Sequence, residues 1–423
     1  MITLLFIVFF IALILGIPVA FSLGLASLVY ILLSDIPLII IPQKMYAGLD
    51  SFVLLSIPGF ILAGNLMNAS GITEKIVNFC NAILGHIRGG LGLANIGASM
   101  LFAGISGTAI ADTASLGSIM IPAMKKEGYS SGFASAVTAT SSTVGPIIPP
   151  SLPMIIAGTL TGLSVGKLFL AGAVPGLLIG LGLMLMAMFI SKKKNHPKHP
   201  RASMRKMGTS FLQAFWAIMM GVIILFGIVG GFFTPTEASI VAVIYGLLIG
   251  FFVYKGLSWA SLKKVMYDSA VTTASLMVLV GFANLFAWIL TSEQVPQQMA
   301  DLILGISREK WLVLLMINVV LLIVGSFMET IAALLILFPV LLRVAMAVEV
   351  DPIHFAVIMV VNLVIGLTTP PVGVCLFVAA GIGKISMNQL VKSSWPFLIV
   401  CLVVLFLVTY IPEITLWLPG LFE

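Results

Sequence analysis

The feature that most limits the folds open to this chain is a break. STVGPIIPPS, Ser142 to Ser151, lies inside a long apolar stretch where an uninterrupted helix would be expected. Pro149 and Pro150 are adjacent, with Pro146, Gly145 and the hydroxyls of Ser142, Thr143 and Ser151 around them. Proline removes a backbone donor and its ring clashes with the preceding turn, so carbonyls lose their helical partners. In hydrocarbon each such carbonyl costs several kcal/mol unless something satisfies it. Composition makes hydrocarbon the solvent. Of 423 residues, 60% are hydrophobic and 9% charged, against about 25% charged in soluble domains. Such a chain cannot cover itself with polar surface, so a lipid bilayer is its expected surroundings.

The break recurs as GLTTPPVGV, Gly366 to Val374. Pro149 and Pro370 lie 221 residues apart, Met45 and Met266 also 221, and Asn65 and Asn284 219. Leu84 and Leu304 are separated by 220, Thr108 and Thr330 by 222, and Pro18 and Pro235 by 217, as are Pro122 and Pro339. Seven pairs in one order, near one offset, read as a duplication. Residues 1–190 form a first repeat, 191–210 a basic seam and 211–423 a second repeat.

Apolar segments fall at 2–33 (broken near Gly16 to Pro18), 52–67, 91–103, 133–148, 153–164 and 168–190. After the seam they fall at 211–233, 236–254, 270–291, 311–327, 330–348, 355–368, 372–383 and 396–418. Several are shorter than the ~20 residues of a full crossing. Short, Gly/Pro-interrupted segments in corresponding places predict re-entrant hairpins and broken helices. The expected fold is an all-α, multi-pass membrane protein of two repeats, inverted in the bilayer. Its hairpins are expected near 100–125 and 322–342, and its broken helices near 140–152 and 364–374.

The N-terminal MITLLFIVFFIALIL lacks a basic region and a small-residue cleavage site, and reads as a retained first span. The seam holds Lys192, Lys193, Lys194, Lys198, Arg201, Arg205 and Lys206. Between apolar spans such a run is expected to keep its loop in the cytoplasm; the alternative is a nucleic-acid or lipid-headgroup patch. GLSWASLKKVMYDS, Gly256 to Ser269, reads as a helix lying flat at the interface. Arg88, Arg343, His86 and His354 read as interfacial, and Cys80, Cys375 and Cys401 as buried hydrophobes.

Each break has a companion upstream. Gly104, Ser106, Gly107 and Thr108 cluster in the first half; Gly325, Ser326 and Thr330 cluster in the second. Such residues allow close backbone approach and supply hydroxyl ligands, as the tips of hairpins would. They also serve ordinary helix packing. Acids at membrane depth are few: Asp112, Glu329 and Glu237. They could bind a cation, orient a hairpin or relay protons, or simply have local partners. Freed carbonyls suit Na+, and helix N-termini suit an anion. A carboxylate could thus be held without a buried arginine. Catalytic signatures are lacking: GISGT has Thr108 where a nucleophile elbow needs glycine, and there is no HExxH or phosphate loop. An ion gradient is therefore the expected energy source, and the chain is not expected to be an enzyme.

GISGTAIADTASLGSIMIPAMKKEGY, with GPIIPPS and TTPPVG, resembles the large membrane subunit of the tripartite ATP-independent periplasmic (TRAP) transporters over nearly the whole chain. The resemblance is closer to the sialic-acid branch than to the C4-dicarboxylate branch. It implies a scaffold plus an elevator-type transport domain in a bacterial inner membrane, importing an organic acid with two or more Na+. It also implies a small four-span membrane subunit and a periplasmic substrate-binding protein. The implied substrate residues are Ser106 and Ser151, with Thr108, Pro150 and Glu329 beside them. The implied sodium regions hold Gly104, Thr108, Gly145 and Asp112, and Gly325, Gly366, Thr368 and Thr369. A relative in the divalent anion–sodium symporter group, working without a binding protein, is the alternative. A channel and an intramembrane enzyme are more remote.

Overall fold

The computed structural model describes residues 1–422, apart from the side chains of Ile105 and Ser106. Helices fill the chain, and no strand occurs among the described residues. The first half runs α1 (Ile2–Ile14), α2 (Val19–Leu33), α3 (Ile40–Leu49), α4 (Ser56–Ala69), α5 (Ile72–Leu84), α6 (Gly90–Ser106), α7 (Ala109–Lys126), α8 (Ser131–Ser141), α9 (Leu152–Thr161) and α10 (Val165–Lys193). The second runs α11 (Met204–Val229), α12 (Pro235–Leu248), α13 (Trp259–Ser292), α14 (Val295–Ile306), α15 (Lys310–Phe327), α16 (Thr330–Ala347), α17 (Pro352–Gly366), α18 (Val374–Gly383), α19 (Met387–Tyr410) and α20 (Glu413–Gly420). Among the described residues seven helices are long and apolar enough to span a bilayer, or eight if α3 and α4, bent by 69° at their break, count as one. The chain is a multi-pass membrane protein.

Helix beginnings carry the sequence offset into space. α6 to α10 start at 90, 109, 131, 152 and 165; α15 to α19 start at 310, 330, 352, 374 and 387. Each pair is 220–222 residues apart.

The helices sort into two groups by packing. In one, α13 lies along α2, α3 and α4, while α12 packs on α4 and α11. In the other, α6–α7 and α15–α16 pack with α8, α9, α10, α17, α18 and α19. α5 and α14 connect the groups: α5 touches both α6 and α11, and α14 touches both α16 and α13. The apolar periodicity of α5 explains its place. Ile72, Ile76 and Cys80, with Thr73 and Val77, recur at i, i+4 and are all buried, while Glu74 and Asn78 face out.

Three expectations need correction. Residues 256–269 do not form a separate interfacial helix: from Trp259 they open α13, which continues unbroken for 34 residues. Glu237, expected among the deep acids, is exposed in the first turn of α12 and completes a capping box with Thr234. His354 is buried, with Nδ1 2.7 Å from the Thr415 hydroxyl and Nε2 3.2 Å from the Thr409 carbonyl. α5 and α14 were absent from the expected segments. The three cysteines are buried and free, as expected.

The seam is docked on the base of α6. Gly89 N–H donates to the Pro197 carbonyl (3.1 Å), and His199 N–H donates to the Gly85 carbonyl (3.0 Å). His196 is buried between the rings of Tyr129 and Phe133, with centroids at 4.5 and 4.7 Å. Its Nδ1 lies 3.0 Å from the Ser191 hydroxyl, and His199 pairs with Glu127 at 2.8 Å.

Candidate functional site

In the first half α6 turns into α7 at Gly107, whose φ of +65° suits glycine, and Thr108. The Ser142 and Thr143 hydroxyls bend back to the Thr138 and Thr140 carbonyls (2.8 and 2.7 Å) in the last turn of α8. Ser151 joins the two sides of the break. Its hydroxyl donates to the Pro146 carbonyl and accepts from Met154 N–H (3.2 Å), capping α9. The α6–α7 turn lies against this break. A methyl at Gly104 would stand 3.5 Å from the Pro149 carbonyl oxygen, and one at Gly107 3.6 Å from that of Pro150. Asp112 is fully buried and covers Gly145: a methyl there would come within 2.3 Å of Asp112 Oδ2. The Ser106 side chain lies outside the described residues.

The second half repeats the arrangement with different chemistry. α15 passes into α16 through Met328 and Glu329, whose carboxylate accepts from Ile331 and Ala332 N–H (2.9 and 3.3 Å) and caps α16. Of the roles open to Glu329, this is a local one, capping its own helix. Thr368 and Thr369 both donate to the Ile365 carbonyl at 3.0 Å. A donating hydroxyl keeps acceptor lone pairs, so both oxygens can still ligate a cation. Gly373 N–H donates to the Ser326 carbonyl at 3.1 Å, a main-chain bond from break to tip. Gly325 and Gly366 meet backbone to backbone: a methyl at Gly366 would lie 2.5 Å from the Gly325 carbonyl carbon. Both proline pairs, Pro149-Pro150 and Pro370-Pro371, are cis.

The two turns converge. Thr108 from one, Glu329 and Thr330 from the other, and Pro146 and Leu367 from the breaks line one cavity of about 20 Å³. That is room for about one water molecule. Thr108 and Glu329 are therefore brought together; Ser151, Pro150, Gly104, Gly145 and Asp112 lie around the first break, and Gly325, Gly366, Thr368 and Thr369 around the second. Among the described residues no three of His, Cys, Asp or Glu come together. The oxygens at the breaks are hydroxyls, main-chain carbonyls and single carboxylates, a hard donor set that suits an alkali cation.

Sequence reading missed the polar pins behind the breaks. Ser99 on α6 meets Ser141 on α8 at 2.8 Å. In the second half Asn362 Nδ2 donates to Asn318 Oδ1 (2.6 Å) and to its carbonyl (3.1 Å), and Asn318 donates to Thr409 (3.1 Å). These pins occupy matching positions, 99 with 318 and 141 with 362, offsets of 219 and 221. That register was the available signal.

With this geometry in view, three comparisons bear on the chain. The family described as "Tripartite ATP-independent periplasmic transporter, DctM component" matches residues 6–414. The sialic acid TRAP transporter large permease protein SiaM of Vibrio cholerae is 43% identical over 408 residues, covering 96% of each chain. The C4-dicarboxylate TRAP transporter large permease protein DctM of Pseudomonas aeruginosa is 42% identical over 400 residues, covering 94% of each. In fold, the chain resembles the YdaH transporter of Alcanivorax borkumensis, with a TM-score of 0.64 at 14% identity over 90% of this chain and 88% of that one. Matched from its first helix to its last, the chain belongs to the DctM component family of tripartite ATP-independent periplasmic transporters.

Proposed function

We propose that this permease imports an organic acid together with Na+, two or more ions per cycle, by an elevator movement of the hairpin-bearing group against the α2–α4, α11–α13 frame. A small four-span subunit and a periplasmic substrate-binding protein complete the transporter. Sialic acid is the favoured cargo; a C4-dicarboxylate is the close second, since the two relatives' identities differ by one percentage point.

The observation that carries this reading is the paired contact of tip and break, at matched positions, meeting across one cavity. Each site combines irregular backbone, hydroxyls and glycine-scale approach, which is how broken helices hold ions and acids at mid-bilayer. Na+ is expected at Gly104, Thr108, Gly145 and Asp112, and at Gly325, Gly366, Thr368 and Thr369. The cargo carboxylate is expected at Ser106 and Ser151 beside Thr108, Pro150 and Glu329. The cation supplies charge neutralisation that lets an acid enter hydrocarbon.

The test is uptake by proteoliposomes holding this chain with the small subunit and binding protein. Labelled sialic acid and a C4-dicarboxylate should be compared under inward Na+ and K+ gradients. Sigmoidal dependence on Na+ and no response to K+ are expected. Equal rates with K+ sink the sodium reading. Full rates without the binding protein favour a stand-alone symporter instead.

A further inference from the structure

We propose that the groove between α10 and α19 is a binding site for one anionic phospholipid of the cytoplasmic leaflet. At the end where α10 terminates, a cavity of about 730 Å³ opens between α8, α10 and α19. Its walls are apolar, built by Phe133, Met186, Phe189, Trp395 and Ile399. Its mouth carries three amines, Lys193, Lys194 and Lys392, and none of its lining residues is acidic. The nearest acid along α7 and the following loop, Glu127, is engaged by His199 at 2.8 Å. α8 and α19 both begin at this end, with Ser130 and Ser386 as their caps, so their dipoles add to the positive field. Lysines at span ends commonly reach out to the interface singly. Here three from two helices share the mouth of one apolar groove.

The dimensions choose a lipid over a free phosphate. Leu185 and Phe189 on α10, and Ile399 and Val403 on α19, recur at i, i+4 and are more than half exposed, giving the groove two apolar rims. The helices close on each other at Gly182, where a methyl would lie 2.7 Å from Val400. From Gly182 to Lys193 is about 16 Å of helix at 1.5 Å per residue. That is about half of the ~30 Å hydrocarbon core, the depth of one leaflet. A two-part ligand fits: an anion under the amines and an acyl chain running to the Gly182–Val400 contact. Because α8 and α10 pack on the α6–α7 hairpin and α19 packs on α8, α10 and α17, the lipid would ride with the group that carries the transport site.

The experiment is native mass spectrometry of the full-length chain in detergent, supplied with phosphatidylglycerol or with phosphatidylcholine of the same acyl chains. One phosphatidylglycerol per chain should be retained, while phosphatidylcholine should be lost. Replacing Lys193, Lys194 and Lys392 together by Ala should weaken retention on the order of a hundredfold, about fivefold per lysine. Lys198→Ala, Arg201→Ala and Arg205→Ala together remove equal charge from the seam and should leave retention unchanged. Ile399→Trp fills the groove, keeps every charge and should also weaken retention, which covers failure of the triple variant to fold. Inorganic phosphate should not displace the lipid. Equal retention of both lipids, equal loss in both triple variants, or displacement by phosphate alone would each overturn the proposal.

Discussion

The two tip-and-break sites share a plan and differ in how tightly they are closed. In the second, Gly325 and Gly366 touch main chain to main chain, and Gly373 bonds to Ser326 across the contact. In the first, methyls added at Gly104 and Gly107 would stand 3.5 and 3.6 Å from the proline carbonyl oxygens, and the break is closed by a side chain, Ser151. A duplicated architecture has thus diverged into one site fastened by backbone and another fastened by a hydroxyl. The backbone-fastened site tolerates no added atom. The hydroxyl-fastened one can be loosened by deleting a single oxygen.

The strongest way to break this comparison is a pair of methyl groups. Gly366→Ala forces backbone apart and should cost about 1–3 kcal/mol, seen as a lower melting temperature in detergent and loss of Na+-driven uptake. Gly104→Ala has 3.5 Å of room and should stay within about 0.5 kcal/mol of the parent. Equal losses would mean the two sites are equally tight.

Next come the pins. Asn362→Leu leaves the buried Asn318 Oδ1 without its 2.6 Å donor. It should cost about 1–3 kcal/mol, whereas Ser141→Ala, losing one neutral hydroxyl pair, should cost about 1 kcal/mol. Chemical denaturation of the two variants in the same detergent checks the order.

Ser151→Ala sharpens the contrast between stability and transport. Removal of the α9 cap should cost about 1 kcal/mol, and the chain should remain folded. Uptake should fall further than that figure requires, because the Pro146 carbonyl at the cavity loses its donor. Unchanged uptake would remove Ser151 from the site.

The smallest effect concerns the seam. Burial between two rings, with Lys194 nearby, holds the His196 imidazole below its usual value. The folded value is the lower one, so docking is fully supported above about pH 6.5, the unfolded value. As pH falls through it, the unfolded seam takes the proton first, and docking weakens. Protection of residues 191–203 against hydrogen exchange, taken relative to the intrinsic rate at each pH, should therefore be lower at pH 5.5 than at pH 7.5. His196→Phe, which cannot titrate, should flatten that difference.

Much of the fold was legible from two kinds of signal. Prolines in apolar runs marked both breaks because proline disrupts a helix whatever surrounds it. The common offset paired the halves, since α6 to α10 and α15 to α19 keep it helix by helix. What escaped had physical reasons. α5 and α14 are short and two-faced, so a search for unbroken apolar runs passes over them, although Ile72, Ile76 and Cys80 carry the helical period. The start of α13 looked interfacial because Lys263 and Lys264 are polar, yet backbone hydrogen bonding continues past them. The capping role of Glu237 was readable, since Thr234 in front of Pro235 marks a helix start. For the site, glycine and hydroxyl clusters were visible in the chain. The commitment of Glu329 to its own helix end and the Asn318–Asn362 pair depend on tertiary placement, which no local pattern states.

A space of about 20 Å³ between the turns has one more consequence. No sugar acid or dicarboxylate fits there, so cargo held between the turns, as proposed above, would require a second, wider shape of the molecule. Apparent affinity is then the intrinsic affinity diluted by the fraction of time spent wide. Substitutions that relax the seal can tighten observed binding while slowing turnover, and the two readouts should be expected to move in opposite directions.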